Sequence, residues 1–198
     1  IASRKLQKIR LASPVEFWFG LAALAGVLLI DVLQGMIIGV VASLVFVIYR
    51  SSRPHISSLG RVPGMPGAYG DLARHSKTSP VPGVLIVRVD GPLYYANART
   101  VGDQVKAMIA DMASPPRALI LDCTAWEEID LTSVDIIRGL VKELHGRGID
   151  VYLADVHKPV LEYGRKLGLL ELIGEDHVFP TVDLAVRSLE AGLAGGRK

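Results

Sequence analysis

ALILDCTAWEEIDLTSVDII, residues 118–137, is the stretch that settles the architecture. Its first five residues, Ala118–Asp122, form a continuous apolar run closed by a carboxylate, the pattern of a strand buried on both faces. A polar turn follows, and then Ile136, Ile137, Leu140, Val141 and Leu144 recur at helical spacing until Gly146-Arg147-Gly148 stops them. Thr132 with Asp135 fits a capping box, in which hydroxyl and carboxylate satisfy free N–H groups of the first turn. On that reading Thr132 is an N-cap worth about 1 kcal/mol. A second reading gives the same hydroxyl a function: a phosphate on it would be favoured by the helix dipole and would alter a partner surface.

Working outward, the same alternation of strand and helix continues in both directions. Val151–Ala154 reads as a further strand, Pro159–Leu167 as a helix with Gly168 past its end, Val178-Phe179 as a short strand and Val182–Leu193 as a last helix. Upstream, Val84–Asp90 and Leu93–Ala96 read as two strands parted by Gly91-Pro92. Ala98, Val101, Val105, Met108, Ile109 and Met112 then mark a helix that Ser114-Pro115-Pro116 ends. The order β-β-α-β-α-β-α-β-α predicts an α/β domain over residues 84–195, a mixed sheet with about four covering helices and its sites at strand-to-helix turns.

The amino-terminal part is different in kind. Summed by segment, residues 1–14 carry +4, residues 15–49 carry −2 with no base, residues 50–83 carry +4 and residues 84–198 carry −4, which gives the net +2. That total is too near neutral for a nucleic-acid binder. The apolar run from Pro14 to Tyr49, at about 1.5 Å per residue, would make a rod of roughly 52 Å, too long for one crossing of a hydrocarbon core of about 30 Å. Asp31-Val32-Leu33-Gln34-Gly35 interrupts it, so residues 15–50 are read as a transmembrane hairpin of two short helices broken near Asp31–Gly35.

Basic residues at both ends (Arg4, Lys5, Lys8 and Arg10 before, Arg50, Arg53 and Arg61 after) suit an even number of crossings with both ends cytoplasmic. Residues 1–14 read as a basic interfacial segment. A buried helix pair of a soluble protein is the alternative; a signal peptide fits poorly, the run being too long. Small residues (Gly20, Gly26, Gly35, Gly39, Ala22, Ala23, Ala25, Ser43) supply faces for close helix packing, which points to a larger bundle. Asp31 reads as a hairpin-tip residue reaching water, the alternative being an ion pathway. The chain starts at Ile1 rather than Met and so reads as part of something longer.

Residues 51–83, rich in Gly, Pro and Ser, read as an irregular linker; the glycines between Gly60 and Gly67 lack the Gly-Lys-Ser/Thr that a phosphate loop needs. Chemistry is sparse. The single cysteine, Cys123, sits at a strand end among apolar neighbours and reads as inert. His55, His75, His145, His157 and His177 show no ligand spacing, so no metal is expected. Glu127, Glu128 and Asp130 have no base or nucleophile beside them and read as solvated loop acids. No catalytic or cofactor-binding set is assembled, and the chain does not read as an enzyme.

Several motifs occur in one order: the hydrophobic pair, Tyr49-Arg50-Ser51-Ser52-Arg53-Pro54, Leu59-Gly60-Arg61-Val62-Pro63, Asp90-Gly91-Pro92-Leu93-Tyr94-Tyr95-Ala96-Asn97-Ala98, and Leu121-Asp122 followed by Ile129-Asp130-Leu131-Thr132-Ser133. That order resembles the carboxy-terminal end of SulP-type anion transporters, known in animals as solute carrier family 26. The later motifs, with Arg147-Gly148 and Gly174-Glu175-Asp176 to Phe179-Pro180-Thr181, resemble the cytoplasmic STAS domain that those transporters share with anti-sigma-factor antagonists.

The resemblance implies a secondary transporter of sulfate or a related anion in a cell membrane, multi-pass and bacterial, and usually a homodimer. It implies that residues 15–49 are its last membrane segments, with the substrate site upstream, between half-helices of the remaining membrane domain. The STAS domain would serve regulation or assembly. In the sigma-regulator relatives this turn carries Asp-Ser-Ser-Gly with the second serine phosphorylated. Here Asp130 keeps the acid and Thr132 holds the phosphorylated place, while Leu131 and Ser133 depart from the pattern. Asp130, Thr132 and Ser133 are therefore the candidate regulatory turn, contacting a partner or a nucleotide by resemblance. The alternative function is a membrane-tethered STAS module that binds a soluble partner.

Overall fold

In the computed structural model, residues 18, 20–21, 32–74 and 77–195 are described, the last three by backbone alone. The chain divides into two compact units, Ile1–Ser52 and Arg53–Lys198.

Within the first unit, α1 (Val32–Ser51) is one uninterrupted helix of 20 residues, about 30 Å at 1.5 Å per residue, long and apolar enough to cross a membrane. Leu33, Met36, Ile37, Val40, Val41, Leu44, Val45, Val47 and Ile48 are all largely exposed on it. A helix whose large apolar side chains are exposed all round among the described residues suits lipid as its solvent. The expected break is corrected in part: Val32, Leu33, Gln34 and Gly35 are helical. A single internal glycine costs only about 1 kcal/mol, too little to end such a run. The expected basic segment, the first helix of the hairpin and Asp31 lie outside the described residues, apart from Trp18, Gly20 and Leu21, which are helical.

The second unit is a six-stranded sheet in the order β2-β1-β3-β4-β5-β6. Its strands are β1 (Ile56–Arg61), β2 (Tyr69–Asp71), β3 (Val84–Val89), β4 (Ala118–Asp122), β5 (Asp150–Ala154) and β6 (Val178–Phe179). β1 is antiparallel to both β2 and β3, whereas β3 to β6 run parallel. The helices are α2 (Ala98–Ala110), α3 (Leu131–Gly146), α4 (Lys158–Lys166), α5 (Leu169–Ile173) and α6 (Val182–Gly195), with one turn of 3-10 helix at Glu175–His177.

Strand alternation sorts the core into two layers. Leu85, Val87 and Val89, with Leu119, Leu121, Val151 and Leu153, meet side chains of α2 to α5, among them Val105, Ile137, Val141 and Leu170. Val84, Ile86, Ala118, Ile120 and Tyr152 face the other way, onto Val182, Ala185 and Val186 of α6. All five residues of β4 are buried, as its apolar run requires.

Two expectations fail in this unit. Residues 51–83 are not an irregular linker: they hold β1 and β2, and Leu59 and Val81 join the core. Neither strand has an apolar run of its own; β1 gains its order by pairing Ile56, Ser57 and Ser58 with Val89, Arg88 and Val87. Leu93–Ala96 is a turn, not a strand, because the buried Asn97 side chain accepts the Tyr94 N–H at 3.0 Å and donates to Pro92 O at 2.8 Å. These local bonds take the place of a strand ladder. The mixed sheet with its covering helices stands as expected; Gly168 in the left-handed region (φ 71) ends α4 and lets the short α5 start at once.

Candidate functional site

The turn from β4 to α3 is built from its buried end upward. Asp122, with no exposed surface, accepts from Arg88 Nε and Nη2, both at 2.7 Å, and from the N–H and hydroxyl of Thr124. Arg88 and Asp122 are register partners on adjacent parallel strands, so the sheet itself brings them together. Cys123 is fully buried, and burial pushes its thiol well up from the usual range, which keeps it protonated and unreactive. Trp126, 2% exposed, anchors the middle of the turn, and His157 Nε2 lies 3.0 Å from Thr124 O, tying the turn to the start of α4.

Asp130 is the N-cap of α3: its backbone is extended and Oδ1 accepts the Ser133 N–H at 2.8 Å. This corrects the capping box assigned to Thr132 and Asp135. A capping side chain reaches the third residue beyond it, and Asp130 stands three before Ser133, whereas Thr132 already lies within the helix. The second oxygen of Asp130 accepts the Tyr95 N–H at 2.6 Å and so ties the loop before α2 to the start of α3.

The three candidate residues therefore separate. Asp130 is structural on both oxygens. Ser133 is fully buried, with a hydroxyl that has no partner among the described residues. Only Thr132 is exposed to solvent, in the first turn of α3.

Beside them lies an open cleft of about 520 Å³ whose walls include Leu93, Tyr94, Tyr95, Glu127, Glu128 and Asp130. Tyr95 is 68% exposed, and Leu131, at the start of α3, is 52% exposed. Among the described residues three carboxylates and no lysine or arginine line this cleft, a field that repels nucleotide phosphates. The exposed apolar side chains beside the acids suit a protein contact instead. Among the described residues no cluster of three metal-ligating side chains exists.

Two features escaped the sequence. The Arg88–Asp122 pair has a signal only once the strands are aligned. Asp155, at the end of β5, adopts φ 56, and its carboxyl is pushed above the usual range first by burial and then by the charge of Asp122.

The STAS domain family matches residues 77–185, more than half of the chain. A probable sulfate transporter of Mycobacterium tuberculosis is 33% identical over 185 residues, covering 93% of this chain and 32% of that protein. High affinity sulfate transporter 2 of Stylosanthes hamata is 29% identical over 179 residues, covering 86% of this chain and 27% of that protein. The chain thus spans about a third or less of the length of these curated relatives. Among solved structures, the murine solute carrier 26 family member A9 anion transporter superposes with a TM-score of 0.77 over 92% of this chain and 31% of its own, at 23% identity, a likeness of fold. Sheet order, the helices on both faces and the match over residues 77–185 agree: the chain belongs to the STAS domain family, joined here to an apolar helix, and its curated relatives are sulfate transporters.

Proposed function

We propose that this chain is the end portion of a membrane-embedded secondary transporter for sulfate or a related anion. Its STAS unit is cytoplasmic and acts in regulation or assembly rather than as an enzyme. The observation that carries this reading is the extent of the similarity: it runs over 93% of the chain, through the apolar helix as well as the STAS unit. A soluble regulator would share only the second. The substrate site, the remaining membrane domain and a homodimeric partner belong to the same proposal, as does a bacterial inner-membrane location.

Within the STAS unit we assign the partner contact to the exposed Thr132 and the adjoining Tyr95 and Leu131, with Asp130 holding the surface together. The acidic lining of the cleft favours a protein over a nucleotide. Radiolabelled anion uptake by the full-length protein, with sulfate, oxalate, bicarbonate and dicarboxylates as competitors, tests the first part. Uptake that none of these anions reduces would sink it and leave the tethered binding module as the better reading. Thr132→Glu tests the second part: lowered uptake or assembly is expected, and unchanged uptake at unchanged expression would remove the regulatory role.

A further inference from the structure

The hairpin formed by β1 and β2 carries two clefts, one charge-matched and one cationic. One, of about 400 Å³, includes Arg61, Tyr69, Asp183, Arg187 and Glu190 in its walls. Its charges are already matched: Arg61 Nη2 lies 2.7 Å from Glu190 Oε1, and Arg187 Nε lies 2.7 Å from Asp183 Oδ2. That cleft asks for no ligand.

The other, of about 550 Å³, has mainly apolar walls from Val62, Pro63, Met65 and Tyr69, with Arg74 and Lys77 as its charged lining among the described residues. No acid lines it. Lys77 has no ion pair among the described residues, and the Arg74 side chain, 67% exposed, has one, to the largely covered Asp71 Oδ2 at 3.4 Å, which leaves most of the guanidinium facing solvent. Met65 is 62% exposed at the mouth, which leaves an apolar side chain in water without a cover. The volume falls within the ~300–1,000 Å³ of ligand sites, and an apolar wall with an all-cationic rim complements a molecule that is greasy at one end and anionic at the other.

The chain itself says where such a molecule is found. Four residues, Ser52–His55, separate the end of α1 from the start of β1, at most about 14 Å of extended backbone. Residues 50–83 hold five bases and one acid, directly after a helix fit to cross a membrane. Basic segments so placed gain about 1 kcal/mol per cation from an anionic leaflet.

We propose that the cleft of Val62, Pro63, Met65, Tyr69, Arg74 and Lys77 binds an anionic phospholipid, its phosphodiester held by Arg74 and Lys77 and its glycerol and first acyl carbons against Val62, Pro63 and Met65. This makes the hairpin a lipid-reading element of the STAS unit. The site does not depend on which anion, if any, the full-length protein carries.

The test uses the full chain in nanodiscs of phosphatidylcholine doped with a photoreactive phosphatidylglycerol, with crosslinks mapped by peptide mass spectrometry. Labelling of residues 62–70 is expected. It should fall about fivefold for Arg74→Gln or Lys77→Gln and roughly thirtyfold for both, from the value per cation given above. The exchange pair Arg74→Lys with Lys77→Arg should restore it. Both positions are exposed, so these variants keep the fold, which the unchanged circular dichroism would confirm. Equal labelling by a photoreactive phosphatidylcholine would overturn the proposal, as would label confined to residues 15–49. Loss of the lipid label on adding millimolar inorganic phosphate would assign the cationic rim to a free anion and overturn it as well.

Discussion

Tyr95 and Asp130, 35 residues apart in the chain, are joined by a 2.6 Å hydrogen bond from the backbone N–H of the first to Oδ2 of the second. Because the other carboxylate oxygen caps α3, one side chain holds both the helix start and the neighbouring loop. Asp130→Ala removes the cap and a charge-assisted bond together, an expected loss of about 2–4 kcal/mol. Thr132→Ala, at an exposed position that caps nothing, should cost within about 0.5 kcal/mol. Hydrogen-exchange protection of residues 92–97 and of the first turn of α3 distinguishes the two; equal losses would refute the assignment of the cap.

The Arg88–Asp122 pair is asymmetric in burial, Asp122 having no exposed surface and the Arg88 side chain being 36% exposed. Arg88→Met strands a carboxylate inside the protein, for which about 3 kcal/mol or more is expected. Asp122→Asn leaves the guanidinium able to reach water and keeps an acceptor for Thr124, so about 1–2 kcal/mol is expected. Chemical unfolding of the two variants should rank them in that order.

A Cβ at Gly60 would lie 2.6 Å from Ser79 O and 2.5 Å from Leu72 Cδ2. Since Arg61 and Ser79 exchange backbone hydrogen bonds at 2.8 and 3.1 Å, the crowding falls on backbone that cannot yield cheaply. Gly60→Ala should therefore destabilise the STAS unit by about 1–3 kcal/mol. A glycine in a slack connector would tolerate alanine without loss, and an unchanged melting temperature would show that β1 is dispensable to the sheet.

Asp155 supplies a pH signature. Burial foremost, then the Asp122 charge, hold its carboxyl above the ordinary value of 3.8, against the opposing pull of the Val182 N–H, Arg88 and His157. The folded state thus keeps this proton more readily than the unfolded chain, and stability falls as pH rises from the unfolded value through the raised folded one. Asp155→Asn removes that loss, and asparagine tolerates the left-handed backbone. The variant should melt higher than the parent at about pH 7, with the gain narrowing toward about pH 4. A gain independent of pH would exclude titration as its cause.

Where the chain's own pattern suffices, the sequence is a good guide. The continuous apolar run of β4 and the helical spacing of α2 and α3 are local and strong, and each element stands close to its expected place. ISSLGR and YGD, by contrast, are polar, small and short, and they are strands only because β3 and then β1 offer them a ladder. Leu93–Ala96 errs in the other direction: its β-like side chains lose to the hydrogen bonds of Asn97. The site was legible as a turn but not in its roles. Asp130 and Thr132 both fit the front of a helix, and only the helix's actual start at Leu131 decides between them.

The carbonyl of His55 already accepts the Asp90 N–H at 2.8 Å, and the Ser52 N–H still donates to Ile48 O at 2.9 Å. Between the last bond of the helix and the first bond of the sheet stand Arg53 and Pro54, and proline stiffens that short span. The junction is a leash of almost no length. A pull along Arg53 and Pro54 therefore falls first on β1 and on the ladder of Ile56, Ser57 and Ser58 with β3.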